Sequence, residues 1–168
     1  MNKDLSKTNI REYKASDREQ IKILMMEFSK FFEPIDPWKR ENQDFNAISK
    51  HYLDKVFRYI KNRSGIMYVA EIDNVIVGFA ATFLRNQTPE EALSTMPMKL
   101  GHLESLFVTS KYRNKGIGEM LIKQAEKYFK EKGCTHAELD VFGPNVRAHR
   151  LYLKQGYVND KISMLKAI

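Results

Sequence analysis

Arg113-Asn114-Lys115-Gly116-Ile117-Gly118 lies between a strand-like apolar run, Leu100 to Val108, and a helix-like run, Ile117 to Lys132. A strand that ends in a basic, glycine-containing turn and opens directly into a helix aims several unpaired backbone N–H groups at one point. The positive end of the helix dipole falls on the same point, so the turn is suited to a phosphate or pyrophosphate. Glycine matters there because a side chain would hold the phosphate oxygens off the backbone. Basic G-x-G turns are common on protein surfaces, and the flanking order of elements is what gives this one weight.

Working outward, apolar spacing of three to four predicts a helix over Asp17 to Phe32, with Ile21, Leu24, Met25, Phe28, Phe31 and Phe32 on one face and Ser16 or Asp17 as its cap. Ile10 to Tyr13 reads as a short strand ahead of it. Pro34 and Pro37 end the helix and begin a loop, Glu33 to Asp44, before a second helix from Phe45 to Ile60. The runs Ile66–Ile72 and Val75–Ala81, joined by Asp73-Asn74, read as a β-hairpin. A polar loop, Arg85 to Pro97, leads into the Leu100 strand. After the third helix, which Gly133 stops, Thr135 to Phe142 reads as a strand and Asn145 to Gln155 as a fourth helix. The tail, Tyr157 to Ile168, has room for one or two short strands. The expected fold is a single α/β domain over residues 1–168: a mixed sheet, antiparallel early, with a strand–helix–strand unit late and about four flanking helices.

The 168 residues are 43% hydrophobic and 29% charged, ordinary for a globular chain. No apolar run approaches the ~20 residues that span a bilayer, and the N-terminus has no apolar signal segment. One cysteine, Cys134, excludes an internal disulfide and fits a reducing cytoplasm. The net charge of +7 is compatible with nucleic acid, an anionic membrane face or an anionic ligand, and equally with a merely basic cytoplasmic protein. The positive residues are scattered and not interleaved with aromatics, which makes nucleic acid the weaker class. No grouping of His, Cys, Asp and Glu has metal-ligand spacing.

A second block, Asn145-Val146-Arg147-Ala148-His149-Arg150-Leu151-Tyr152-Leu153-Lys154-Gln155-Gly156-Tyr157, follows the first by about thirty residues. Together with Val108-Thr109-Ser110-Lys111-Tyr112-Arg113-Asn114-Lys115-Gly116-Ile117-Gly118, it resembles the GCN5-related N-acetyltransferase superfamily. The first block fits that family's V-x-P-x-x-R-x-x-G-x-G pattern, with Ser110 where proline is frequent. The second fits its N-x-x-A-x-x-x-Y-x-x-x-G-[FY] pattern. The resemblance covers Leu100 to Tyr157 and implies acetyl-CoA as donor and a primary amine as acceptor. It implies that the turn, Arg113, Asn114, Lys115, Gly116, Ile117 and Gly118, holds the pyrophosphate. It also implies that the Leu100 strand splays from the next one, so that Leu106, Phe107 and Val108 bond the pantetheine arm, with Asn145, Ala148 and Tyr152 beside it.

Acetyl transfer to an amine needs a base for the ammonium proton and an acid for the departing thiolate. Tyr152 matches the family's general acid. The base is Glu104 or His102, which strand alternation puts on one face with Leu106 and Val108 unless a bulge intervenes. Burial would raise the Glu104 pKa toward neutrality. Cys134, His51, His136 and His149 read as packing or surface residues. Phe31, Phe32, Glu33, Asp36, Trp38, Glu41 and Asp44 combine aromatics with carboxylates, a mixture that can hold an ammonium, and the 85–97 loop with Glu90 and Glu91 is the facing wall. The leading expectation is a small cationic amine acceptor. The competing expectations are a protein acceptor (N-terminal or lysine amine), a CoA-binding regulatory module without catalysis, and a nucleic-acid-binding domain. A second copy of the chain is a candidate partner.

Overall fold

The computed structural model describes residues 7–39 and 44–168. Five strands form one sheet in sequence order: β1 (Asn9–Glu12), β2 (Ile66–Ile72), β3 (Val75–Asn86), β4 (Lys99–Val108) and β5 (His136–Leu139). Each neighbour is antiparallel except the β4–β5 pair, which is parallel. Parallel neighbours need a crossover, and helix α4 (Ile117–Glu131) supplies it. The β2–β3 hairpin turns on Asp73 and Asn74, both at positive φ, as a two-residue turn between twisted strands requires.

Helices α1 (Arg18–Phe31) and α2 (Phe45–Asn62) cover one face of the sheet. Ile21, Leu24 and Met25 of α1, with Leu53 and Val56 of α2, pack on Val69, Phe79 and Phe107. Helix α4 covers the other face together with α5 (Val146–Lys154). There Leu121, Ile122, Ala125, Phe129 and Tyr152 bury Tyr68, Ala80 and Leu103. Both sandwich layers thus come from the three-to-four apolar spacing legible in each helix.

The structure departs from expectation at four places. The Asp17 carboxylate does not cap α1; it accepts from Arg11 at 2.7 Å and from the Lys14 N–H at 2.7 Å. The 85–97 segment is not all loop: β3 runs on to Asn86, and a short helix α3 (Pro89–Ser94) follows. Thr88 accepts from the Glu91 N–H at 3.2 Å while Glu91 accepts from the Thr88 N–H at 2.8 Å, a reciprocal cap with Pro89 at the first helical position. β5 stops at Leu139 instead of Phe142 because the chain there leaves β4. The tail past Tyr157 holds no strand among the described residues, and its Val158, Ile162 and Met164 face solvent.

One position in β4 ties the sheet tightly to α4. A Cβ on Gly101 would lie 2.2 Å from Cγ of Phe129, a ring that is itself 2% exposed and cannot swing away. Gly101→Ala should therefore destabilise the fold by about 1–3 kcal/mol, the cost of overpacking a closed core. Urea unfolding of the two proteins measures it directly.

Candidate active site

Pairing of β4 with β5 ends at Leu103 and Leu139, yet β4 continues for five more residues to Val108. The Thr109 N–H bonds the Val77 carbonyl, so by the alternation of an antiparallel ladder Phe107 turns its backbone groups toward β3. Leu106 and Val108 turn theirs toward the gap. The strands are splayed here, as the resemblance implies, and one open backbone edge faces the opening. Of the three strand residues named for the pantetheine arm, Leu106 and Val108 carry that edge; Phe107 borders it with its ring.

The glycine turn closes the wide end of the gap. Gly116 adopts φ +80, which favours glycine, and places the helix start with no side-chain cap. The first α4 amide to find its helical partner is Met120, on the Gly116 carbonyl. The N–H groups of Ile117, Gly118 and Glu119 therefore have no intrahelical acceptor. Asn114 (φ +60) accepts from Arg147 Nη2 at 2.7 Å, which fastens the turn to α5. Arg113 folds back instead of reaching outward: its Nε donates to the Val108 carbonyl at 2.7 Å, and its guanidinium stacks 4.7 Å over Phe31. Lys115 lies over the Tyr112 ring, outside the cavity lining.

Between β4, the turn and α5 is a cavity of about 480 Å³. Leu106, Phe107, Val108, Arg113, Asn114, Gly116, Ile117, Gly118, Asn145, Ala148 and Tyr152 all line it, so both sequence blocks converge on one opening. Asn145 caps α5 by accepting from the Ala148 N–H at 3.2 Å, leaving its amide N–H groups available. Tyr152 is 9% exposed, and burial alone pushes its phenol up to about 12. Arg147, Arg150 and Lys154 border the cavity from a single face of α5. That basic stripe was readable in the three-and-four spacing of the second block but was not singled out.

His102 and Glu104 do not share a face with Leu106 and Val108. Thr82 pairs with Leu103 and Ala81 with Ser105, so Glu104 is the extra residue of a β-bulge. The bulge reverses the alternation: Leu106 and Val108 pack on the α4 side, whereas His102 stacks on Phe83 and Glu104 meets α2. Lys55 Nζ donates to Glu104 Oε1 at 2.8 Å, and Tyr52 Oη lies 3.4 Å from the same oxygen and 3.1 Å from Ser105 Oγ. His102 Nε2 is 3.5 Å from Glu104, and its Nδ1 is 3.0 Å from Glu138 of β5. Arg85 completes the series by binding both Glu138 and Glu91, the latter at 2.6 Å.

This alternating row of charges sets the protonation states. Burial opposes charge on His102, but the hydrogen bonds to Glu104 and Glu138 outweigh it and lift the imidazole to about 9. Glu138 drops to about 2, because His102 and Arg85 overcome its burial. Glu104 is lowered, not raised: burial pushes it up, and the hydrogen bonds to His102 and Lys55 more than reverse that. The expectation of a Glu104 poised near neutrality is thus overturned. It is an ionised carboxylate beside a protonated histidine. Lys55, Tyr52, Glu138 and Arg85 escaped the sequence reading because each comes from an element far along the chain.

The expected acceptor wall is more dispersed. Phe32 packs edge-on against Phe28 and Phe142, roofing the α1 end toward the β5–α5 connection. Glu33 is exposed and Trp38 is 44% exposed. Asp36 is buried and accepts from the Trp38 N–H at 3.1 Å, within its own turn. Asp44 caps α2 through the Ala47 N–H, and Glu41 lies outside the described residues. Among the described residues no group of three His, Cys, Asp or Glu side chains is placed to hold a metal ion, and no helix is long and apolar enough to cross a membrane.

An open β4 edge, an uncapped helix start and a buried phenol meet in one cleft. The profile of the Acetyltransferase (GNAT) family matches residues 23–157, and the chain belongs to that family and is an acyltransferase. It is 33% identical to an uncharacterized N-acetyltransferase of Archaeoglobus fulgidus, over 67% of this chain and 74% of the relative. It is 31% identical to the N-alpha-acetyltransferase of Sulfurisphaera tokodaii, over 69% of this chain and 71% of that one. Among solved structures, an aminoglycoside N-acetyltransferase in complex with CoA superposes with a TM-score of 0.68 at 17% identity, covering 96% of this chain and 94% of that one.

Proposed function

We propose that the protein moves the acetyl group of acetyl-CoA directly to the primary amine of a small cationic acceptor, both substrates being bound together. The carrying observation is the single cavity in which the uncapped glycine turn, the open β4 edge and Tyr152 meet. The residues present fit CoA. The N–H groups of Ile117 and Gly118 hold the pyrophosphate at the helix N-terminus, with Arg147 and Arg150 adding charge. Leu106 and Val108 bond the pantetheine amides as a further strand would, and Asn145 adds a side-chain amide. When bound, acetyl-CoA supplies an activated thioester. Glu104 accepts a proton from the incoming ammonium, directly or through water, and Tyr152 donates toward the sulfur as it departs. The Glu104 carboxylate, which Tyr52 Oη approaches at 3.4 Å, supports a cationic acceptor. The aminoglycoside-acetylating structural neighbour agrees with that preference.

A second reading, acetylation of a protein N-terminus, is favoured by the likeness to an N-alpha-acetyltransferase. A screen of polyamines, aminoglycosides, amino acids and short peptides with a free α-amine, following thiol release, tests both. Turnover with small polycations supports the first reading, and turnover confined to peptides replaces it with the second. For the donor site, Gly118→Glu should weaken CoA binding by about 2–3 kcal/mol, the scale of a lost charge-assisted contact set. Calorimetry that finds CoA affinity unchanged in the folded variant would remove the glycine turn from the donor site.

A further inference from the structure

We propose that Lys55 is itself an acceptor, and that the protein acetylates Nζ of its own Lys55. The inference rests on the donor and base roles proposed above and extends them to an amine inside the chain.

A base must lie within hydrogen-bond reach of the proton it removes. Lys55 Nζ meets that condition, donating to Glu104 Oε1 at 2.8 Å. The ammonium also lies 5.4 Å from the Tyr52 ring centroid and 5.3 Å from that of Tyr59, both on its own helix. Carboxylate and rings together form a cage for a primary ammonium, and the occupant is a lysine. The cage abuts the donor cleft. Glu104 precedes Leu106 by two residues on β4, with its side chain on the α2 face and Leu106 on the α4 face, and the cavity reaches the α1–α2 face at Phe28, Phe31 and Phe107. Phe28, another lining residue, packs on Tyr52 at 5.8 Å. The Lys55 side chain is 32% exposed and sits on a flexible four-carbon stem.

The step balances without any further reagent. Glu104 takes one proton from the ammonium, and the freed lone pair attacks the thioester carbonyl. The new C–N bond forms as the C–S bond breaks, with the electron pair leaving on sulfur. The second nitrogen proton ends on the CoA thiol, and the first passes from Glu104 to solvent. The amide that results has no positive charge. Among the described residues Glu104 then keeps His102 as its cationic neighbour.

The test uses the full chain incubated with acetyl-CoA and no added amine, followed by intact mass measurement and peptide mapping. Lys127, whose side chain is 68% exposed, is the internal reference for uncatalysed acetylation. Lys55 should be labelled at least about tenfold faster than Lys127, and Glu104→Gln should remove that excess without changing the Lys127 rate. Burial alone predicts the opposite order. Labelling of Lys55 no faster than Lys127, in a sample that binds CoA by calorimetry, overturns the proposal. Turnover of an external amine with Lys55 unmodified also overturns it while leaving the acetyltransferase reading intact. A sample that fails to bind CoA refutes the donor reading itself.

Discussion

Tyr152→Phe should lower turnover roughly a hundredfold while leaving CoA affinity within a few-fold, the scale of losing a general acid. The ring is packed in the α4–α5 layer, 6.0 Å from the Tyr157 ring, and phenylalanine keeps that packing. What the substitution removes is a hydroxyl in the cavity lining. With its phenol held near 12, Tyr152 is protonated throughout the neutral range and available as a donor. It is also a weaker acid than a thiol, whose ordinary pKa is about 8.5, so complete transfer to a free thiolate runs uphill. Its contribution is a hydrogen bond that strengthens as charge grows on sulfur, which places the expected effect at the lower end of the general-acid range. Steady-state thiol release with a validated acceptor, beside calorimetric CoA titration, separates the two parameters. Unchanged turnover would make Tyr152 a packing residue.

Much of this site was legible because its parts are local in sequence. The turn and its helix start are consecutive residues, and Asn145, Ala148 and Tyr152 recur at helical spacing on α5. Chain order then sufficed to bring the two blocks to one cleft. The electrostatics were not legible in the same way. Lys55 and Glu104 are 49 residues apart, and His102 and Glu138 are 36 apart. The first contact depends on how α2 packs on the sheet and the second on β4–β5 register, and nothing in the linear pattern states either. The bulge at Glu104 was hidden for a related reason. Leu100 to Val108 reads as one apolar strand, and the reversal after Glu104 appears only against β3. By contrast, Thr88-Pro89-Glu90-Glu91 carries its helix start openly, and only the polarity of the segment suggests a loop.

Those long-range charges also make stability depend on pH in two directions. His102 is raised in the folded chain, so its contribution is complete below about 6.5 and is lost as pH climbs through about 9. Glu138 is depressed, so its contribution is present above the ordinary carboxylate range and fades as pH falls toward about 2. Thermal midpoints should therefore decline on the alkaline side before the lysines titrate. In Glu138→Gln that alkaline decline should be smaller and should end at lower pH, because one of the two carboxylates holding the imidazolium is gone.

Glu104→Gln should cost about a hundredfold in rate near neutral pH, and the deficit should shrink as pH rises. An ordinary primary amine titrates near about 10.4, so at neutrality nearly every acceptor molecule carries a proton it must lose before attack. Because Lys55 and His102 lower Glu104, it is a weak but fully ionised acceptor of that proton. It therefore speeds the reaction most where free amine is scarcest. As the medium itself supplies neutral amine, the carboxylate has less to contribute and the variant should catch up. The imidazole gives an independent reading of the same network: in Glu104→Gln, the His102 ring should titrate below its parent value by NMR, having kept only Glu138 as an anionic neighbour. A rate deficit that stays constant from neutrality to the amine's own pKa, alongside that shifted His102 titration, would show Glu104 ordering the site electrostatically without taking the acceptor's proton.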